Sequence, residues 1–273
     1  MIVSYHPVIA GDINRICAGR EPDREDAALL QKAHCVILPQ GCGKNLYEMA
    51  RTYCPNVFPD YTCRFRYPGK IGQIRLFEEL ETPHPHSLCF GNISEFHSFF
   101  GSPLTYPLVL KFNWGGEGET VFYVDTEARF RDLLELAKQY EATGQAGFLL
   151  QEYVPAGGRT LRVVVIGSRM ISYWRVSRSP DGFYGNLASG GQIDRTSDPD
   201  LQQAAVAIVR RFCVKSKIDL SGIDVIFSAA DTHPAPLLLE INYFFGREGL
   251  GGSENYYRIL QTEVHGWINR ING

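Results

Sequence analysis

Two carboxylates and an amide lie within a pair of apolar segments near the carboxyl terminus. The first segment, residues 222–227, contains Asp224, and the second, residues 237–242, ends with Glu240 and Asn242. If the segments pair as a hairpin about their midpoint, Asp224 lies opposite Glu240, and Asn242 faces the same way because side chains alternate along a strand. Hard oxygen ligands without His or Cys suit Mg²⁺ that bridges to phosphates. The spacing alone is equally compatible with polar groups that face solvent at strand ends.

A lysine precedes a glycine-rich segment near the middle of the chain. Residues 109–118 read VLKFNWGGEG, with Lys111 in the apolar part and Gly115 and Gly116 in the turn. A lysine on a strand can place its ammonium against phosphate, and glycines let backbone N–H groups approach phosphate oxygens closely. Glycine-rich turns are common, however, and the segment matches neither the phosphate-loop nor the dinucleotide-binding consensus. Taken alone, the segment favours an ordinary turn.

A third segment carries polar residues at the end of an apolar strand. Residues 148–155 read FLLQEYVP, and a second apolar run that contains Arg162 begins a few residues later. The segment at the end of this run comprises Gln151, Glu152, Tyr153 and Val154. Alone, this pattern predicts only a strand followed by a loop.

Other reactive side chains have simpler explanations. His84 and His86 flank a proline with no acid or Cys nearby in sequence, which favours solvent-facing imidazoles over a metal site. Cys42 lies between two glycines and is expected to be a buried or inert thiol. Arg64 and Arg66 lie among aromatic residues, as in nucleic-acid-binding surfaces, but the chain is net acidic, so we expect no such surface.

The first quarter of the chain alternates between strand and helix patterns. Short apolar runs at 2–5 and 35–38 alternate with helical periodicity at about 23–32 and 43–53. This rhythm predicts a small parallel sheet and a small α/β domain over residues 1–66.

A helix and a connector follow. Periodicity predicts a helix over residues 70–80 that begins at Lys70. Residues 81–104 contain several X-Pro pairs, which predict a connector with one short helix near residues 93–100.

Beyond the connector the pattern changes to hairpins. Runs at 107–112 and 120–124 flank the glycine-rich segment, and runs at 161–166 and 170–177 flank a Gly-Ser turn. Antiparallel pairing is therefore expected. Helices are predicted at about 128–140, 199–215 and 254–271. Asp198 is expected to cap the second of these, ahead of a proline in its first turn.

The composition is that of a folded globular protein. The 273 residues are 44% hydrophobic and 21% charged, enough apolar surface for a large core without disulfides or a structural metal. Lys and Arg number 27 against 30 Asp and Glu, for a net charge of −3, so no chain-wide basic field attracts nucleic acid or anionic membrane. We expect small-molecule substrates and no nucleic-acid or membrane partner, while the oligomeric state stays unknown.

The cysteines and the amino terminus indicate a compartment. The seven cysteines include no C-x-x-C pair, which favours reduced, intracellular thiols. Residues 1–11 lack a basic segment followed by a long apolar one, and nowhere do 18 apolar residues run together. We therefore expect a cytoplasmic protein.

Taken in order, these motifs resemble the ATP-grasp superfamily, most closely its RimK-like, glutamate-ligase-type branch. The resemblance covers roughly residues 68–255; no single motif is specific, but seven in sequence are. The matching positions are Lys70, Lys111, the hinge Gln151 to Val154, Arg162, the element NLASGG at 186–191, Asp224, and Glu240 with Asn242.

The resemblance implies a fold and an activity. After the small α/β domain, an ATP-grasp domain over 67–273 would have two α+β lobes, at about 104–150 and 151–273, whose antiparallel sheets clamp ATP. The implied activity is ATP-dependent carboxylate–amine ligation through an acylphosphate, on a small amino-acid or peptide-like substrate.

The resemblance also implies roles for single residues. Those that would hold ATP are Lys70, Lys111, Gly115, Gly116, Gln151, Glu152, Tyr153 and Val154. Those that would hold Mg²⁺ are Asp224, Glu240 and Asn242. Those that would act in catalysis are Arg162, Lys111 and Asn186. Arg247 is a further candidate for gripping an acceptor carboxylate.

Departures from the family pattern leave other functions open. Thr160 replaces an Asp implied in the ribose contact, whereas Ser189 and residues 243–247 differ where such enzymes hold the acceptor. The substrate is therefore expected to differ from glutamate added to a protein tail. The alternatives are an ATP-binding regulatory module without catalysis and an ATP-grasp kinase that phosphorylates without ligating.

Overall fold

The computed structural model describes residues 1–99, 103–116, 118–177 and 191–272. Asn186 and Ser189, both named above, lie outside these ranges. Within them, no helix is both long and apolar enough to cross a membrane.

Residues 1–66 form a parallel sheet with short helices. Its strands are β1 Ile2–Ser4, β2 Ile13–Asn14, β3 Cys35–Ile37 and β4 Val57–Phe58, in the order β2-β1-β3-β4. The helices are α1 Arg24–Leu30, α2 Lys44–Tyr53 and α3 Thr62–Arg66. Every strand pair in this sheet is parallel, which confirms the prediction from the α/β rhythm.

The proline-rich segment contains a strand that the sequence did not predict. After α4 Gly69–Glu79 come β5 Ser87–Phe90 and the short helix α5 Ile93–His97. The new strand β5 joins an antiparallel sheet whose other strands come later in the chain. That sheet therefore includes residues ahead of position 104.

The second sheet is antiparallel and carries the glycine-rich turn. Its remaining strands are β6 Leu108–Phe112, β7 Val121–Val124 and β8 Phe148–Glu152, and the order is β5-β8-β6-β7. Strands β6 and β7 pair as the predicted hairpin. Helix α6, Glu127–Ala142, covers this sheet with Phe130, Leu133 and Ala137 in the shared core.

The third sheet is also antiparallel and has the order β11-β10-β9-β12-β13. Its strands are β9 Arg159–Ile166, β10 Arg169–Val176, β11 Gln192–Asp194, β12 Leu220–Ile226 and β13 Leu237–Asn242. The flanking helices are α7 Pro199–Ser216 and α8 Ser253–Asn272. Both predicted hairpins in this part of the chain are confirmed.

Alternation along β9 explains why helices cover both faces of this sheet. Leu161, Val163 and Val165 pack into a core with residues of α7, and Val164 and Ile166 pack into another with residues of α8. Because side chains alternate between faces, the unbroken apolar run at residues 163–166 requires a cover on each side. Helix α4 joins the α7 side of this core.

One local prediction is confirmed only in part. Asp198 occupies the N-cap position of α7 with a φ of +48°, but its side chain makes no hydrogen bond to the first helical turn. The carboxylate instead pairs with Arg159 on β9. Pro199 does begin the helix, because its fixed φ suits the first turn.

Candidate functional site

The hairpin of β12 and β13 brings the predicted oxygen ligands together. Asp224 pairs directly with Glu240, as the sequence predicted, and Asn242 pairs with Gly222. Asn242 donates from Nδ2 to Asp224 Oδ2 at 3.1 Å, so the two side chains share a face. A register irregularity follows directly after Asp224, beyond this polar end of the hairpin.

Asp224 is a buried carboxylate held by two arginines. Arg162, its cross-strand partner on β9, donates from Nε to Oδ1 and from Nη2 to Oδ2, both at 2.8 Å. Arg175 on β10 donates to Oδ2 at 2.7 Å. Burial alone would raise the pKa of Asp224, but the arginine charges lower it below its usual value. The cluster therefore holds an ionised acid beside two cations, with one positive charge in excess.

Sequence reasoning missed Arg175. It lies opposite Thr160 in the β9–β10 register and donates to the Thr160 hydroxyl at 3.2 Å. Its buried Nε has no hydrogen-bond partner among the described residues. The predicted hairpin of residues 161–166 and 170–177, extended by one residue pair, would place Arg175 across from Thr160, where the family pattern is broken, and that register was the available signal.

Lys111 is a buried ammonium on β6. Its side chain is 6% exposed, and it makes no hydrogen bond within the described part of the chain. Burial lowers the pKa of Lys111 to about 8, an effect that the nearby Glu240 carboxylate opposes. Lys111 and Glu240 belong to different sheets, so the two antiparallel sheets face each other at this point.

Lys70 holds the glycine-rich loop. Its Nζ donates to the carbonyls of Trp114 and Gly115, each at 3.0 Å, and lies 3.3 Å from the Thr120 hydroxyl. Burial lowers the pKa of Lys70, and Glu240 opposes that shift as it does at Lys111. Both predicted phosphate lysines therefore lie within electrostatic reach of one carboxylate.

The loop and helix α4 are joined at a second point. Asn113 Oδ1 accepts a hydrogen bond from the backbone N–H of Ile71 at 2.9 Å, which caps a helix that has no cap of its own. Gly115 has a φ of +79°, and a Cβ there would lie 2.5 Å from the Thr120 side chain, so glycine is required. Gly116 is exposed and has open space around it.

The predicted hinge is tied to the unexpected strand β5. Gln151 is buried, and its Nε2 donates to the Ser87 hydroxyl at 2.9 Å. The exposed Glu152 exchanges hydrogen bonds with the backbone of His86 through its own N–H and its carboxylate. Tyr153 packs edge-on against a tyrosine ring of β7, and Val154 is buried. Adenine binding by these four residues stays a prediction.

A glutamine on α4 contacts the strand that carries Glu240 and Asn242. Gln73 Oε1 accepts from the backbone N–H of Ile241 at 2.7 Å, and Gln73 Nε2 donates to its carbonyl at 2.9 Å. β13 is an edge strand. The Gln73 side chain therefore supplies, at Ile241, the two hydrogen bonds that a neighbouring strand would otherwise make. No sequence pattern points to Gln73 beyond its place one turn after Lys70.

Two arginines without an acidic partner lie near residues 243–247. Arg247 lies over the rings of Tyr256 and Tyr257, at 4.5 and 4.6 Å, and donates to a serine hydroxyl at 3.3 Å. Arg64 lies 4.8 Å from the ring of Phe244 and donates to a backbone carbonyl at 3.2 Å. Neither forms an ion pair within the described residues. Arg64 therefore borders residues 243–247, the segment that departs from the family pattern, rather than an isolated surface.

Residues 76–261 match the model of the RimK-like ATP-grasp domain. Among named relatives, the probable alpha-L-glutamate ligase of Parasynechococcus marenigrum (strain WH8102) is 30% identical over 146 residues, 53% of this chain and 29% of that protein. The protein of the same name from Xanthomonas campestris pv. campestris (strain B100) is 28% identical over 212 residues, 76% of this chain and 66% of that protein. The chain thus spans less than two thirds of the length of either relative.

Solved structures show the same fold. The RimK domain protein ATP-grasp from Sphaerobacter thermophilus DSM 20745 aligns with a TM-score of 0.60 at 14% identity, covering 96% of this chain and 98% of that one. D-alanyl-alanine synthetase A from Vibrio cholerae O1 biovar eltor str. N16961 aligns with a TM-score of 0.60 at 15% identity, covering 85% and 77%. The ATP-grasp fold expected from the motifs is confirmed, and the chain belongs to the RimK-like ATP-grasp domain family.

Proposed function

We propose that this protein is an ADP-forming carboxylate–amine ligase that uses ATP and acts on a small amino-acid or peptide-like substrate. The observation that carries the proposal is Lys111, a buried ammonium without a hydrogen-bond partner in the described chain. A buried cation is costly unless an anion or acceptor compensates it. A nucleotide phosphate between the two antiparallel sheets supplies that anion.

The proposed reaction has two steps. A substrate carboxylate oxygen attacks the γ-phosphorus of ATP, the bond to the β-phosphate oxygen breaks, and ADP leaves. An amine then attacks the carbonyl carbon of the acylphosphate, which forms the amide and releases inorganic phosphate with loss of a proton. The protein contributes mainly positioning and electrostatic stabilisation.

The cations of the site have separate roles in this scheme. Lys111 and Lys70 hold phosphate oxygens. Lys70 either gives up its hydrogen bonds to the loop carbonyls to bind a phosphate, or keeps these bonds and holds the loop closed over the phosphates. Arg162 uses Nε and Nη2 on Asp224, so its Nη1 is the atom left for an oxyanion of the transferred group. Gln151 to Val154 border the adenine in this proposal.

The donor set fits Mg²⁺ if phosphates and water complete its coordination. The carboxylate of Glu240 makes no hydrogen bond or ion pair in the described chain. Asn242 bonds to Asp224 through Nδ2, which leaves its Oδ1 available as a metal ligand. Both oxygens of Asp224 already accept guanidinium bonds, so Asp224 has less capacity for a metal. Among the described residues no three His, Cys, Asp or Glu cluster as a metal site. Bound there, Mg²⁺ would neutralise phosphate charge.

The test is a screen for ADP release with ATP, Mg²⁺ and pairs drawn from amino acids and dipeptides. We expect ADP release that depends on both a carboxylate and an amine, and its loss in Lys111→Met. Lys138→Met, on the outer helix α6, is the matched control and should keep the parent rate, since Lys138 is an exposed lysine.

Three outcomes discriminate the alternatives. ADP release with a single substrate and no amine would replace the ligase with a kinase. ATP binding without ADP release across the whole screen would indicate a regulatory module. Full activity of folded Lys111→Met would contradict the assignment of the phosphate site.

A further inference from the structure

The parallel sheet has a crevice that the proposed ligase chemistry does not use. Strands β1 and β3 lie side by side in the middle of the sheet. The connection after β1 leads to β2 at one edge, and the connection after β3 leads to β4 at the other edge. Strands β1 and β3 are neighbours, so their connections diverge at the carboxyl ends of the two strands. In open parallel sheets, such a switch point is where small molecules bind.

A cavity of about 320 Å³ lies at this crevice. Its lining comes from the segments that follow β1, β2 and β3 and from the first turn of α2. The volume lies at the lower end of the range for small-molecule sites, roughly 300 to 1,000 Å³. The strand order and the cavity therefore indicate the same place.

We propose that this cavity binds an α-amino acid with an apolar side chain. The floor is apolar: Tyr5, Cys42 and Leu46 line it and are at most 4% exposed. Burial raises the pKa of the Cys42 thiol to about 12, so it is uncharged and behaves as a small apolar group. An aliphatic or aromatic side chain fits such a floor.

The mouth of the cavity carries one exposed lysine and one exposed glutamate. Lys44 and Glu21 line it and are exposed, and among the described residues Lys44 pairs only with Glu48, in a loose, exposed contact at 3.6 Å. Glu21 accepts one hydrogen bond, from the side chain of Asn45 at 2.7 Å. A ligand carboxylate would face Lys44 at the start of α2, and a ligand ammonium would face Glu21.

The charges also exclude a polyphosphate in this cavity. Arg20, the other cation of the lining, donates to the buried carboxylate of Asp26 through both terminal nitrogens, at 2.5 and 3.0 Å. A single lysine beside a glutamate does not neutralise several phosphate charges. A zwitterion matches the pair without leaving a charge uncompensated.

This cavity is separate from the proposed nucleotide site, but residues beside it contact residues 243–247, the segment proposed to hold the acceptor. Gln40, between β3 and the cavity-lining Gly41, donates from Nε2 to the carbonyl of Tyr243 at 2.8 Å. The inference does not depend on ligase activity, since binding is measured without ATP or Mg²⁺.

The test is isothermal titration calorimetry with L-leucine and L-phenylalanine. We expect both to bind. Leucinamide lacks the carboxylate, N-acetyl-L-leucine lacks the ammonium group and glycine lacks the side chain. Each should bind about tenfold more weakly than leucine, which is the order of magnitude for the loss of one charged hydrogen bond or one buried side chain. Equal binding of leucine and leucinamide would overturn the proposal, as would no heat with either amino acid.

Variants and hydrogen exchange localise the binding. Lys44→Gln and Glu21→Gln should each weaken leucine about tenfold, whereas Lys32→Gln, an exposed lysine beyond α1, should not. Leucine should slow exchange across residues 39–46. Binding that leaves this peptide unprotected, or that survives both mouth variants unchanged, would place the ligand elsewhere and overturn the inference.

Discussion

The side-chain amide of Gln73 forms two hydrogen bonds with the backbone of Ile241, one as donor and one as acceptor. Ile241 separates Glu240 from Asn242, so this pair fixes the strand that carries both proposed metal ligands. Gln73 also lies one turn after Lys70, whose Nζ holds the glycine-rich loop. Helix α4 therefore contacts both the loop of the proposed phosphate site and the strand of the proposed metal ligands.

Replacing Gln73 should weaken the use of Mg²⁺. Gln73→Leu leaves the Ile241 N–H and C=O without these partners, at a cost of about 1–3 kcal/mol each if they stay buried. We expect the Mg²⁺ concentration for half-maximal ADP release to rise about tenfold, more than any change in the KM of the acceptor. Gln145→Leu is an exposed control. A loss of thermal stability with unchanged Mg²⁺ dependence would limit Gln73 to a structural role.

The low pKa of Lys111 predicts a pH dependence of stability. Its pKa is about 8 in the folded chain against 10.5 when solvated. Between these values the unfolded chain binds the proton that the folded chain has released, so this group makes the free energy of unfolding rise with pH. The rise is at most about 1.4 kcal/mol per pH unit.

Urea unfolding of the parent and Lys111→Met at pH 7.5 and 9.5 isolates this contribution from other titrating groups. The parent should gain stability relative to the variant as the pH rises. If the difference between the two proteins stays constant over the interval, the pKa of Lys111 is not depressed by burial.

Glu240 should be needed for turnover and not for folding. It is half-buried and makes no ion pair within the described chain, so Glu240→Gln should stay folded, with its melting temperature lowered only by the loss of a charge near Lys111 and Lys70. Lost coordination of a doubly charged ion should cost several kcal/mol in the transition state, a rate loss of at least about a thousandfold. Single-turnover ADP formation measures it. A near-normal rate would remove Glu240 from the metal site.

Backbone amides of the glycine-rich loop should exchange more slowly when nucleotide binds. In residues 113–119, Gly115 and Gly116 are exposed and Lys70 supplies contacts to the loop carbonyls. Phosphates give the loop new hydrogen-bond partners, so exchange of its backbone amides should slow with a non-hydrolysable ATP analogue and Mg²⁺. Unchanged exchange while the analogue binds would make this segment an ordinary turn.

Much of the site was predictable because it depends on hairpin register. The midpoint of two apolar runs placed Asp224 opposite Glu240, and alternation placed Asn242 beside them, as the structure has it. The features that sequence reasoning missed depend on long-range pairing. Strand β5 forms within a proline-rich segment because β8 offers it an edge, and Gln73 finds Ile241 far along the chain. No local pattern encodes such contacts.

The missing side-chain cap at Asp198 shows the same limit. Asp198 stands directly before a helix-starting proline, which is the local signature of a capping residue. Arg159, from a strand far back in the chain, pairs with its carboxylate instead, and the backbone at Asp198 takes a positive φ. The ion pair between Arg159 and Asp198, which forms only in the folded chain, thus replaces the hydrogen bond that an Asp side chain at this position usually makes to the first helical turn.

Arg247 should bind the acceptor without taking part in chemistry. Two tyrosine rings hold its guanidinium, and it has no carboxylate partner within the described residues. It can therefore donate a pair of hydrogen bonds to a substrate carboxylate in fork geometry. Arg247→Ala should raise the acceptor KM about tenfold or more and leave kcat within about threefold, since uniform binding is lost. Arg258→Ala, which removes an exposed arginine on α8, should change neither constant. If Arg247→Ala lowers kcat and kcat/KM equally, the arginine acts in the transition state, and an unchanged KM would place the acceptor carboxylate elsewhere.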